Sequence, residues 1–153
     1  MMLTVEHLSK VNVAEVVAWL TGIDLRSWPQ QSHRELKPAM VTDPTWFGMG
    51  ERTRATVDEL MSNFPGCSSY QHMLSAVMPG HSIEPHRDHQ APYWMFRVHI
   101  PLVTNEQSLF VVGGQHHHLD VGHAYKVNTE AEHSVDNRGE TPRIHFMFDI
   151  GRK

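Results

Sequence analysis

The periodicity of apolar positions changes near residue 70. Before that point Val13, Val16, Val17 and Leu20 recur at i, i+3, i+4 and i+7. This is the stripe of an amphipathic helix over Val11–Leu20. Val57, Leu60 and Met61 make a similar stripe, which predicts a second helix over Thr53–Asn63 with Thr53 or Thr56 capping its start. Between the two lies Ser27–Gly50, rich in Pro, Gly and polar residues and carrying Trp28, Trp46 and Phe47. A connection of that length inside a small domain is typically functional or mobile.

Beyond residue 70 the side chains alternate. Gln71–Met78, Tyr93–Val103, Ser108–Val112, His123–Val127 and Arg143–Ile150 read as short strands. Turn signals separate them: Pro79-Gly80, Gly113-Gly114 and Asp136-Asn137-Arg138-Gly139. On the last strand Ile144, Phe146, Phe148 and Ile150 share one face, and Arg143, His145, Met147 and Asp149 share the other. On Tyr93–Val103, Phe96, Val98 and Ile100 oppose Arg97 and His99. Ionisable side chains on an inner face are sustainable only where the barrel encloses a polar ligand. The pattern therefore predicts a mainly β fold, a sandwich or jelly-roll barrel with a few N-terminal helices packed outside. No repeat or second domain is visible. Residues 1–153 read as one domain, with a helical and loop-rich part over 1–69 and a barrel core over 70–150.

Composition narrows the function classes. The chain has 153 residues, enough to bury a real core, and its 40% hydrophobic and 20% charged content is that of a globular protein. A net charge of −4 supplies no field to attract nucleic acid or an anionic membrane. No segment approaches the ~20 apolar residues of a membrane span, and no signal peptide is visible. The single cysteine, Cys67, excludes an internal disulfide and makes the cytoplasm the default setting. It lies in the turn-rich Phe64-Pro65-Gly66-Cys67-Ser68-Ser69 with no base beside it, which reads as structural rather than nucleophilic. Thirteen histidines are more than such a chain usually carries. His116-His117-His118 follows a Gly-Gly turn and reads as a solvated loop, because three consecutive side chains cannot all face one metal.

The chemistry concentrates in His86-Arg87-Asp88, His133 and Arg143. His86 and Asp88, two apart, point the same way on an extended segment. His133 comes 47 residues later, on a different strand. Two ligands from one segment and a third from across a barrel make a 2-His-1-carboxylate facial triad, which holds one face of Fe(II) and leaves three positions open. A closed structural zinc site would use four ligands, often with Cys. Arg143, ten residues after His133, offers a planar cation that can fork onto the far carboxylate of 2-oxoglutarate. The competing reading for Arg143 is an ion pair with Asp149 or Glu140. Arg97 and His99 add cationic character to the same face, and Ser75 adds a hydroxyl from the neighbouring strand. Trp46, Phe47 and the loop Gln90–Trp94 are candidates to cover a substrate.

These motifs resemble the aspartyl/asparaginyl β-hydroxylase-like 2-oxoglutarate oxygenases, which include proline cis-4-hydroxylase-type members. The resemblance covers roughly residues 70–150. It runs through Ser75 to Asp88, Arg97-Val98-His99-Ile100-Pro101-Leu102, Gly122 to Tyr125, Asn128-Thr129, Glu132 to Asn137 and Arg143-Ile144-His145. It implies a double-stranded β-helix, cupin-like in outline, that uses Fe(II), 2-oxoglutarate and dioxygen. It makes His86, Asp88 and His133 the iron ligands and Arg143 the partner of the distal carboxylate. Ser75, Arg97 and His99 match positions that help hold the co-substrate, and no catalytic residue beyond the metal centre is implied. The animal peptidyl-aspartyl hydroxylases have Gly where Asp88 stands, so this chain lies closer to the three-ligand members. The expected substrate is an amino acid, or an Asp, Asn or Pro residue in a peptide. Two other readings stay open: a cupin-like metal enzyme without 2-oxoglutarate, and an anion-binding barrel without iron.

Overall fold

The computed structural model describes residues 4–25 and 49–153. The Trp28, Trp46 and Phe47 segment lies outside the described residues. In chain order the elements are β1 (Val5–Lys10), α1 (Ala14–Leu20), α2 (Met49–Met61), β2 (Cys67–Val77), β3 (Ser82–His86), β4 (Trp94–Val103), β5 (Ser108–Val112), β6 (Gln115–His117), β7 (His123–Val127), β8 (His133–Asn137) and β9 (Arg143–Arg152). They form a five-stranded sheet ordered β1-β7-β4-β9-β2 and a four-stranded sheet ordered β3-β8-β5-β6. All pairings are antiparallel. Two such sheets face to face, with helices on one outer face, are the mainly β jelly-roll predicted from the alternation.

Strand β9 sits between β4 and β2 and is buried on both faces from Arg143 to Gly151. Its outer residues Ile144, Phe146, Phe148 and Ile150 join Phe96, Val98 and Ile100 of β4 and Leu74 and Ala76 of β2 in one apolar cluster. Val16 and Leu20 of α1 and Val57 and Leu60 of α2 complete that cluster from outside. Truncating a fully buried Phe146 or Phe148 to Ala should cost about 3–5 kcal/mol. A second cluster fills the space between the sheets: Val77, Ile83, Phe110, Val112, Leu119, Tyr125, Val127 and Val135. Polar residues of β4 and β9 stand beside that cluster.

Several local expectations shift. Helix α1 starts at Ala14, not Val11, because Val11 N–H donates to Gly122 O and the Asn12 side chain accepts from Ala14 N–H. Helix α2 already runs from Met49, so Thr53 and Thr56 are interior rather than capping. Thr56 Oγ1 instead donates to Asn12 O at 2.6 Å, tying α2 to the approach to α1. The N-terminal part is not only helix and loop, since β1 pairs with β7 at the sheet edge and β2 begins at Cys67. The histidine run is not wholly loop. Gln115–His117 pairs with β5 as an edge strand, and only His118 lies past it. Gly113 and Gly114 close that hairpin with φ of +58° and +78°, the two-residue turn in which both central residues need positive φ. No helix among the described residues is long and apolar enough to cross a membrane.

Candidate metal centre

Strand β3 ends at His86, and β8 begins at His133 directly opposite it in the ladder. The two rings lie 4.2 Å apart between centroids. Asp88 follows two residues beyond β3, and its backbone N–H donates to Thr129 O at 3.0 Å, which turns the chain back over the site. One donor atom each from His86, Asp88 and His133 lies within 4.8 Å of the other two. His86 Nε2 is 3.6 Å from Asp88 Oδ1, and His133 Nε2 is 3.3 Å from Asp88 Oδ2.

Both imidazoles are held in the tautomer a metal requires. Nδ1 of His86 lies 2.8 Å from Glu84 O, and Nδ1 of His133 lies 2.8 Å from Ala131 O. A carbonyl oxygen only accepts, so each Nδ1 carries a hydrogen and each Nε2 faces the site, where a metal can take the place of a proton. Asp88 is a carboxylate here. Burial alone would raise its pKa, but the hydrogen bond with His133 and the charges of Arg97, His133 and His86 outweigh that and hold it below the usual range. The mixed nitrogen and oxygen donor set, with open space beside it, fits a facially bound Fe(II).

Behind Asp88 stands an ion-pair chain. Arg97 Nη1 donates to Asp88 Oδ2 at 3.2 Å. The same guanidinium donates through Nε and Nη2 to Asp149 Oδ1 and Oδ2, at 2.7 and 3.0 Å. Asp149 is fully buried and is Arg97's direct cross-strand neighbour between β9 and β4. The inner-face assignment of Arg97, His99, Arg143, His145 and Asp149 thus holds. The alternative pairing of Asp149 with Arg143 does not describe the site, because Asp149 takes the fork of Arg97.

His86, Asp88 and His133 open onto a cavity of about 140 Å³. Arg97, His99, Arg143, Thr129 and Ser134 give it polar walls, and Ile83, Phe110, Val135 and Met147 give it apolar ones. Arg143 is only 2% exposed, with its guanidinium carbon 5.2 Å from the centre of the Phe110 ring. Ser75 is buried on β2 opposite His145 and does not line the cavity itself. Gln90 of the predicted covering loop donates to Thr129 Oγ1 at 3.2 Å, and Trp94 Nε1 reaches Asp149 Oδ1 at 3.4 Å. Sequence reasoning missed the contributions of Thr129, Ser134 and the apolar wall. Thr129, Ser134 and Val135 lay in quoted motifs and Met147 on the predicted inner face, but none was given a role, because wall residues are chosen by register between strands rather than by any local pattern.

The fold is similar to that of a prolyl-4-hydroxylase from Pseudomonas putida, with a TM-score of 0.68 at 15% identity over 98% of this chain and 93% of that one. A viral collagen prolyl hydroxylase from Paramecium Bursaria Chlorella virus-1, solved as a 2OG complex, gives 0.62 at 10% identity over 99% and 97%. An oxidoreductase of the 2OG-Fe(II) oxygenase family from Burkholderia pseudomallei gives 0.64 at 15% identity over 98% and 86%. At these identities the likeness is one of fold. No curated protein matches the chain. The family profile for Aspartyl/Asparaginyl beta-hydroxylase matches residues 50–153, well over half of the sequence, and the chain belongs to that family.

Proposed function

We propose that this protein binds Fe(II) through His86, Asp88 and His133 and 2-oxoglutarate beside it, and hydroxylates an amino acid or an Asp, Asn or Pro residue in a peptide. The observation that carries the reading is a triad with both tautomers already locked, opening onto the same small cavity as a buried arginine. In the overall reaction one atom of dioxygen enters the substrate C–H bond as hydroxyl. The other enters 2-oxoglutarate as it loses carbon dioxide to become succinate. The iron, when bound, supplies the dioxygen activation that no side chain can.

The chain's own residues supply binding and orientation. His86 and His133 each offer an Nε2 lone pair, and Asp88 offers carboxylate oxygen steadied from behind by Arg97. Arg143 is assigned the distal carboxylate of 2-oxoglutarate, where a buried guanidinium has the planar donors for it. His99 and Arg97 are assigned to the co-substrate wall, with Ser75 supporting from β2. Ile83, Phe110, Val135 and Met147 keep bulk water from the reacting atoms. A cavity of about 140 Å³ is well below the ~300–1,000 Å³ of sites for drug-sized ligands. It suits a five-carbon dicarboxylate, so the substrate to be hydroxylated approaches from outside. There the side chains of His86 and Asp88 are still 25% exposed. The matched family and the prolyl hydroxylases of similar fold support the amino-acid or peptide substrate class. A single cysteine is in keeping with action in the cytoplasm.

The test is succinate formation from 2-oxoglutarate by anaerobically Fe(II)-loaded protein on admission of air, across a panel of free amino acids and Asp-, Asn- or Pro-containing peptides. Succinate that rises with one panel member, together with a product heavier by one oxygen, is expected. Tight iron binding without succinate under any condition would overturn the proposal.

A further inference from the structure

His145 lies outside the metal centre and has no part in the chemistry above, yet it is one of the most deeply buried ionisable groups in the protein, 2% exposed. It stands on the inner face of β9, opposite Ser75 of β2 and Pro101 of β4, two residues from Arg143. Its Nδ1 is 2.9 Å from Nδ1 of His99 on β4, which does line the cavity. The rings meet edge to face at 87°. Phe110 stacks on His99 at 5.4 Å between centroids and 29°, and meets His145 edge-on at 6.2 Å. Arg143 lies over the same Phe110 ring. His99, His145 and Arg143 are thus packed around one aromatic side chain, and neither imidazole can turn without displacing it.

Two nitrogens at 2.9 Å cannot both present lone pairs or both present hydrogens. One ring donates and the other accepts, and that choice sets what the far nitrogen of each ring carries. Burial first, then the charge of Arg143, keeps the His145 imidazole neutral. With His99 neutral as well, two arrangements remain. If His99 donates from Nδ1, its Nε2 is a lone pair, which a carboxylate in the cavity would repel. If His145 donates from Nδ1, His99 carries its hydrogen on Nε2 and becomes a donor for that carboxylate. We propose that His145 is a positioning residue that donates to His99 Nδ1 and so holds His99 as the Nε2–H tautomer, the form that donates to the 2-oxoglutarate carboxylate. The inference rests on the reading that 2-oxoglutarate occupies this cavity.

The test compares wild type, His145→Asn and His145→Leu, each loaded with Zn(II) and titrated calorimetrically with 2-oxoglutarate. The Asn amide nitrogen falls near the place of His Nδ1 and keeps a donor there, whereas Leu fills the volume without one. Affinity in His145→Asn should stay within about 3-fold of wild type. In His145→Leu it should fall by about 10-fold, the equivalent of ~1.4 kcal/mol, with Zn(II) affinity unchanged. In parallel, nitrogen-15 histidine NMR of the wild-type complex should find His99 protonated at Nε2 and bare at Nδ1. That measurement decides the matter alone if His145→Leu does not fold. Wild-type affinity in a folded His145→Leu, or a His99 protonated at Nδ1, would overturn the inference while leaving the proposed function standing. A wild-type protein that binds no 2-oxoglutarate would overturn both.

Discussion

Replacing Asp149 by Ala should be among the most damaging single changes outside the proposed iron ligands. The Asp149 carboxylate is fully buried and accepts two charge-assisted hydrogen bonds from Arg97, at 2.7 and 3.0 Å. Hydrogen bonds to charged groups contribute ~1.5–3 kcal/mol each, and breaking a buried ion pair by deleting one partner costs about 3–5 kcal/mol. The Arg97 side chain is only 13% exposed, so water compensates poorly for the lost fork. Urea denaturation of the metal-free protein should therefore lose about 3–5 kcal/mol in Asp149→Ala, which lowers Tm by roughly 6–20 °C for a domain of this size. A double-mutant cycle separates the pair from general damage. Arg97→Met removes the cation but keeps its bulk, so Asp149→Ala/Arg97→Met should be less destabilised than the sum of the single changes by at least ~1.5 kcal/mol. Loss of less than ~1 kcal/mol in Asp149→Ala, or strict additivity in the double variant, would refute the ion-pair reasoning.

Arg143→Ala should raise the 2-oxoglutarate concentration for half-maximal succinate formation by ~30-fold or more, from the ~2–5 kcal/mol at stake when one partner of a buried charge pair is removed; an unchanged requirement would remove Arg143 from the co-substrate site. Asp88→Ala should weaken Fe(II) binding by more than the ~10–100-fold typical of losing an outer partner of a metal ligand, and turnover with it. Full activity there would mean that two histidines suffice. Stability should also depend on pH. Burial, then the charge of Arg143, keeps His145 neutral in the fold, well below the ordinary imidazole value of 6.5. As pH falls below that value the unfolded chain takes up a proton that the folded chain refuses. Stability is thus fully present above pH 6.5 and declines below it, by up to about 1.4 kcal/mol per pH unit for each such group. Burial shifts His72 the same way, so it adds to the slope. Denaturation series from pH 7.5 to 5 should show the decline in wild type and a shallower one in His145→Asn.

The barrel and the His86, Asp88 and His133 cluster were legible because their signals are local. Alternation along Arg143–Ile150 separates the helix-facing residues from the inner-face ones, and β9 buries them as that pattern requires. His86 and Asp88 are neighbours in sequence, and their spacing survives any small error in strand boundaries. Partnership across strands is not local. That Asp149 meets Arg97 follows from the β4–β9 register, which sets these residues directly opposite one another. No pattern within either strand contains that information, and an Asp149–Arg143 pair was equally consistent with shared-face periodicity. The His99–His145 contact was hidden for the same reason. The edge strands were missed for a different one. In β1 only a partial inward pattern marks a strand, and its order comes from β7, with a register break between His7 and Ser9. In β6 three polar residues carry no strand signal of their own and are paired only because the Gly113-Gly114 turn delivers them to β5.

The central claim is that one small cavity holds iron and 2-oxoglutarate together, and anaerobic titration of the Fe(II)-loaded protein with 2-oxoglutarate tests it most directly. Chelation by the co-substrate's keto oxygen and adjacent carboxylate produces a visible charge-transfer absorption. The account predicts that this band saturates at one equivalent in the wild type and needs far more 2-oxoglutarate in Arg143→Ala. Iron bound at His86, Asp88 and His133 that gives no such band at any 2-oxoglutarate concentration would contradict it.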